Sequence, residues 1–181
     1  LITGGLSTPF YRLYQHGYDT HGDQTSRHEI LLSELSTALN VFINEMETLG
    51  LLDRILIVTT SEFGRRVYEN GSGGTDHGTS APVFIFGSNI NSGIFGSDPD
   101  FNHLDENDNL QVQFDYRQVY TSIITDWFGL DQSVANQVFG ENFSKISFVN
   151  TSLKSESYIN PANIEIQAPY PNPFNNMVIL D

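Results

Sequence analysis

One junction constrains this chain more than any other. Ile55-Leu56-Ile57-Val58-Thr59-Thr60 is apolar and rich in β-branched residues, and it runs directly into Ser61-Glu62-Phe63-Gly64-Arg65-Arg66. An uncharged β-branched run of this length reads as a strand covered on both faces, as in a parallel sheet. In open α/β sheets, ligands bind beyond the carboxyl ends of the strands. Glu62, Arg65 and Arg66 therefore fall where such an architecture places its chemistry. The same stretch also reads as a helix start with Glu62 facing solvent, so the junction alone leaves both readings open.

Upstream, Gly17-Tyr18-Asp19-Thr20-His21-Gly22 brings a carboxylate and an imidazole two residues apart. In extended backbone, residues i and i+2 point to the same side. Asp19 and His21 then form the beginning of a metal site, or a turn in which Asp19 and Thr20 bond nearby backbone. Downstream, a glycine-rich loop from Tyr68 leads into Thr75-Asp76-His77-Gly78 and then Ala81-Pro82-Val83-Phe84-Ile85-Phe86-Gly87, a second apolar run expected to be a buried strand. A second Asp/His pair thus stands at a loop-to-strand junction, where flanking glycines let the backbone come close to a bound ion.

Between these motifs, Ile30, Leu31, Leu35, Ala38, Leu39, Phe42, Ile43, Met46 and Leu49 recur at helical spacing. This pattern predicts a helix from Gln24 to Gly50, started by Thr25 or Ser26 and stopped by glycine. His28, in its first turn, reads as a surface residue. Asp115 is expected to cap a second helix, Tyr116 to Phe128, followed by a short helix from Ser133 to Phe139 and a strand from Lys145 to Val149. A further strand is expected at Phe10–Tyr14. The acidic stretch from Asn89 to Asn109, with His103 in it, matches no EF-hand spacing and reads as a solvated loop. A calcium-stabilised adhesion module built on Asp98 to Asp108 is the weaker alternative for it. Helix alternating with strand predicts an α/β domain with a mostly parallel sheet flanked by helices.

The chain has 181 residues and a formal net charge of -14, with 22 acidic and 8 basic side chains. That balance argues against nucleic acid, whose phosphates need lysine and arginine, and against anionic lipid. No apolar run approaches the ~20 residues of a membrane helix. Cysteine is absent, so neither disulfides nor thiol chemistry contribute. The opening at Leu1 without methionine, and the close within an apolar run, lead us to expect a fragment.

Asp19, His21, Glu62, Asp76 and His77 form the candidate metal set. Three carboxylates and two imidazoles suit zinc, manganese or calcium. An ion there would polarise a phosphoryl or sulfuryl oxygen, with Arg65 or Arg66 clamping the remaining anionic oxygens. These motifs, together with Asp115-Tyr116-Arg117, resemble the uncharacterised domain family numbered 1501, from about Ser7 to Phe143. That family is similar to the alkaline phosphatase and sulfatase superfamily. The resemblance implies an alkaline phosphatase-like fold, truncated at its N-terminus, with Glu62 and His77 as metal ligands and Asp19 and His21 completing one ion's set. It departs in three respects: Asp19 and His21 stand closer than the superfamily's pair, Phe63 stands where many members have histidine, and the superfamily nucleophile would precede Leu1.

From Asn150 the composition turns to serine, asparagine and proline, which marks 150–163 as a linker. Tyr170-Pro171-Asn172-Pro173-Phe174-Asn175 resembles the opening of a type A sorting domain of the type IX secretion system, over about 164–181. That resemblance implies export, with the secretion machinery as a partner and a secreted or cell-surface location. The resulting expectation is a secreted metal-dependent hydrolase acting on a small phosphate or sulfate ester. Its rival is a non-catalytic surface or ligand-binding protein on the same fold.

Overall fold

The computed structural model describes residues 2–4 and 8–150. The linker and sorting-segment expectations, from 151 onward, lie outside the described residues. The chain divides into two units, one comprising residues 1–15 and 155–181, the other His16–Lys154. In the first, a 3₁₀ turn spans Ile2–Gly4, and the Arg12 guanidinium lies 4.4 Å from the centroid of the Tyr14 ring. Residues 10–14 form no strand. Phe10, Tyr11, Leu13 and Tyr14 are exposed, and among the described residues no strand pairs with them.

The second unit carries all the candidate chemistry and is mixed α/β. Helix α1 runs Gln24–Thr48, within two residues of its expected end. Its cap differs from expectation. Asp23 takes the N-cap position in left-handed backbone without a side-chain cap bond, and the Ser26 hydroxyl donates to the Asp23 carbonyl. Met46 is its buried residue, while Leu31, Leu35, Leu39, Phe42 and Ile43 are half-buried and Ile30 and Val41 lie open.

The sheets correct the parallel expectation. Strand β1, Ile57–Val58, pairs antiparallel with β4, Ile85–Phe86, in the register Ile57 to Phe86 and Val58 to Ile85. Strand β2, Gly64–Glu69, pairs antiparallel with β3, Thr75–Gly78. Among the described residues no strand pair is parallel. A parallel pair needs a long crossover, usually helical. Here the segment between β1 and β4 folds into the β2–β3 hairpin, which sends the chain back the way it came. The apolar runs are also shorter as strands than their composition suggests. Beyond Val58, the Thr59 amide donates to the Phe84 carbonyl and the Thr59 hydroxyl accepts from the Phe84 amide, so a side chain closes the ladder. Ala81 to Phe84 are exposed.

Arg65 and Arg66 lie in a strand, and Tyr68 and Glu69 belong to it as well, not to a loop. The true turn, 70–74, is closed by Asn70. Its side-chain oxygen accepts from the amides of Ser72 and Gly74, and its own amide donates to the Gly74 carbonyl.

Helix α2, Tyr116–Ser122, begins with the expected Asp115 cap, a full capping box with Gln118. It continues as a π-helical turn over Ile123–Trp127. Helix α3, Gln132–Phe139, is capped by Asp131. Residues 145–149 do not form a strand. The Ile146 amide donates to the Ser122 hydroxyl at 2.8 Å, and Gln118 donates to the Ser144 hydroxyl at 2.6 Å. These bonds tie the segment to α2, and only Val149 bridges Ile90. Val119, Ile146 and Phe148 form the buried core, with Leu56, Val58, Ile85, Ile90, Ile123 and Val149 packed on it. This core anchors β1 and β4, from which the β2–β3 hairpin extends.

In the acidic stretch, Asp105 accepts from the amides of Asn107 and Asn109, and Asp100 accepts from the Asn102 amide and pairs with His103 at 2.5 Å. These carboxylates bind their own loop. None of the loop's residues joins a group of metal-ligating atoms among the described residues.

Candidate metal centre

The site is a loop laid across a hairpin. Thr20 is buried, with its hydroxyl 3.1 Å from His28 Nε2. With Thr20 turned inward, Asp19 and His21 lie exposed on either side of it, in a tight turn in which the Thr20 amide donates to the Tyr18 carbonyl at 2.9 Å. His28 is therefore not a free surface residue: it holds Thr20, and its ring meets Tyr18 edge-on at 5.6 Å.

The loop is fixed to the hairpin by Arg65. Its guanidinium donates to the carbonyls of Tyr18 at 2.6 Å, Thr20 at 2.7 Å and Thr75 at 2.5 Å. One planar fork thus clamps the two backbone segments that carry Asp19, His21 and His77. Arg65 was expected to meet substrate, but its donors are turned to main chain. The approach is close enough to require glycine: a Cβ on Gly74 would stand 2.7 Å from the His21 carbonyl carbon. Thr75 also donates to the Gln24 side chain, tying β3 to the start of α1.

Three potential ligand atoms converge. His77 Nε2 lies 2.7 Å from Asp19 Oδ1, His21 Nε2 lies 3.3 Å from the same oxygen, and the two Nε2 atoms are 3.2 Å apart. Ligands of a tetrahedral zinc, with bonds of about 2.1 Å, stand about 3.4 Å from one another. The two separations from His21 Nε2, 3.2 and 3.3 Å, are close to that edge, whereas His77 Nε2 and Asp19 Oδ1 stand at hydrogen-bond distance and would move apart to share an ion. Two imidazole nitrogens and a carboxylate oxygen facing one point are also a donor set that an ion satisfies, so the residues fit a divalent metal. The hydrogen bond from His77, aided by electrostatic interaction with His77, His21 and Arg65, holds the Asp19 carboxyl below the usual carboxylate range.

Asp76 stands behind His21, not beside the converging atoms. Its Oδ1 is 3.5 Å from His21 Nδ1, on the ring edge opposite the converging Nε2. The Asn70 amide group donates to Asp76 Oδ1 and to the His21 carbonyl, both at 3.2 Å. That bond is the main cause of the lowered Asp76 carboxyl, with His21 and the charge of Arg66 adding to it. Carboxylates behind ligating histidines fix the tautomer and raise the basicity of the other nitrogen. Glu62 is exposed and is not part of the converging group. Arg66, partly buried, leaves its Nε without a hydrogen-bond partner, and its charge reaches Asp76 and Asp105.

Two residues that sequence reasoning did not assign stand out. Asn70 closes the hairpin turn and braces both His21 and Asp76; the signal was an Asn-Gly step between two strand-like runs. Phe63 stacks on His77 with ring centroids 3.6 Å apart and planes 11° from parallel. No spacing rule announces that contact.

No curated protein and no solved structure matches the chain. The family model described as protein of unknown function DUF1501 matches residues 5–139, which include every residue of the centre. The chain belongs to that DUF1501 family.

Proposed function

We propose that this protein is a metal-dependent hydrolase of the alkaline phosphatase and sulfatase-like class, acting on a small phosphate or sulfate ester outside the cell. The observation that carries the reading is the meeting of Asp19 Oδ1, His21 Nε2 and His77 Nε2 within 3.3 Å of one another. Three protein ligands with an open fourth position is the pattern of catalytic zinc. Two imidazoles favour zinc over calcium, which takes oxygen ligands, and over manganese, which prefers carboxylates.

When bound, such an ion polarises an ester oxygen. Asp19, His21 and His77 would hold it, Asp76 keeps the proton of His21 on Nδ1, and Arg65 holds the loop and hairpin in register. Arg66, whose charge reaches Asp76, is the guanidinium suited to an anionic oxygen of the substrate. Export by the type IX route, supported by the tail motif, would place the hydrolysis at or beyond the cell surface.

The test is metal content by mass spectrometry after zinc loading, together with turnover of aryl phosphate and aryl sulfate esters. Wild type should retain zinc that His77→Ala loses. Equal metal in both variants would overturn the reading. A second reading has one observation in its favour. The side chains of His77, His21 and Asp19 are 43%, 52% and 67% exposed, whereas catalytic sites are concave and largely enclosed. A metal-bearing surface protein that binds a ligand without converting it would hold zinc and show no turnover of either ester.

A further inference from the structure

We propose that Phe63 is a positioning residue for the metal centre, setting the plane of the His77 imidazole and thereby the centre's affinity for zinc. The inference rests on the metal reading above and extends it to a residue that carries no ligand atom.

A histidine on a hairpin strand, 43% exposed, has few neighbours to fix its second side-chain torsion. Terminal torsions of this kind are broad and roughly two-fold. For Nε2 to reach Asp19 and His21 at once, the ring must hold one orientation. Packing across the ring face is the means that the structure supplies. Phe63 covers it at a centroid distance of 3.6 Å and an angle of 11°.

Phe63 is itself held from three sides. Its carbonyl accepts from the Ser61 hydroxyl at 2.7 Å. The next residue is Gly64, where a Cβ would lie 2.1 Å from the Ser80 carbonyl oxygen, so the backbone is pressed against the segment that follows β3. The Arg65 guanidinium carbon lies 5.0 Å from the Phe63 ring centroid, within cation–π range. Because the same guanidinium bonds the carbonyls of Tyr18, Thr20 and Thr75, it ties the Phe63–His77 stack to the loop that carries Asp19 and His21. The ligands and the ring that orders one of them thus share a single brace.

Chemistry favours an aromatic at this position. A face-to-face neighbour orders an imidazole whether or not a metal is bound, without competing for its nitrogens. An aliphatic side chain fills space but leaves the ring plane free. Residues that orient metal ligands commonly change affinity by about 10–100-fold when replaced.

Zinc dissociation constants, measured by chelator competition, should be compared for wild type, Phe63→Leu and Phe63→Tyr, with imidazole NMR on the metal-free proteins. In wild type, the His77 ring protons should show the upfield shift of a ring stacked under an aromatic face. That shift should vanish in Phe63→Leu and persist in Phe63→Tyr. Zinc affinity should fall about tenfold or more in Phe63→Leu and recover to within about threefold of wild type in Phe63→Tyr. Equal affinity in wild type and Phe63→Leu would overturn the inference alone. So would a loss in both variants, because the tyrosine variant keeps the aromatic face. Wild type without zinc affinity would overturn the metal reading and this inference together.

Discussion

A carboxylate behind an imidazole decides which ring nitrogen keeps the proton and which is free to bind. Asp76 holds that place behind His21, and Asn70 holds Asp76. Asp76→Asn should therefore weaken zinc binding about tenfold while leaving the far-ultraviolet circular dichroism unchanged; unaltered affinity would remove Asp76 from the centre. Gly74→Ala tests the backbone approach. Its Cβ would press on the His21 backbone at 2.7 Å, so the loop should shift, with thermal melting falling and zinc affinity falling with it. At this scale much was legible. The Asp-x-His spacing put a carboxylate and an imidazole together, and in the structure the buried Thr20 between them leaves both exposed. Asp76-His77 was legible as a pair, but not that His77 Nε2 meets Asp19 while Asp76 meets Nδ1 of His21, which depends on how the loop lies on the hairpin. Glu62 is not in the converging group, whereas Phe63 stacks on His77. A carboxylate at a strand end looks functional in sequence, whereas a stacking phenylalanine looks like core.

Among the elements, α1 and the Asp115 cap followed from local rules, since helical periodicity and capping chemistry are written in consecutive residues. The Asp115 carboxylate accepts from the Arg117 amide and pairs with the Arg117 guanidinium at 2.6 Å. The Arg117 hydrogen bond is the main cause of its lowered carboxyl. The sign follows from linkage. A carboxyl lower in the folded state contributes stability above its unfolded value, about 4, and loses it as pH falls through the folded value. Asp115→Ala should cost about 1 kcal/mol at neutral pH, and the difference from wild type should shrink below pH 4. Urea titrations across pH 3–7 measure both effects, and a pH-independent difference would contradict the assignment. Strand direction was not legible, because it depends on how the chain returns between Val58 and Ile85. An apolar run reports burial but not the sense of its partner. The turn at 70–74 carried the missing information: an Asn-Gly step followed by further glycines closes a hairpin, and a hairpin reverses the chain.

For the molecule as a whole, the described core is small and centred on Val119, Ile146 and Phe148. Phe148 is 2% exposed, so Phe148→Ala should destabilise by about 3–5 kcal/mol, read as a lowered midpoint in chemical denaturation. A loss under about 1 kcal/mol would show that the 146–149 segment is not the keystone of β1, β4 and α2. The candidate metal centre lies on the hairpin, so this change should lower stability far more than it lowers zinc affinity in the protein that remains folded. The proposed chemistry needs the three converging atoms of Asp19, His21 and His77 to hold one ion. X-ray absorption at the zinc edge of the loaded protein tests that claim most directly. The predicted spectrum has about two imidazole nitrogens at about 2.0–2.1 Å with oxygen in the remaining positions, and it loses imidazole scattering in His77→Ala. An all-oxygen shell, or a spectrum indifferent to His77, would contradict the account.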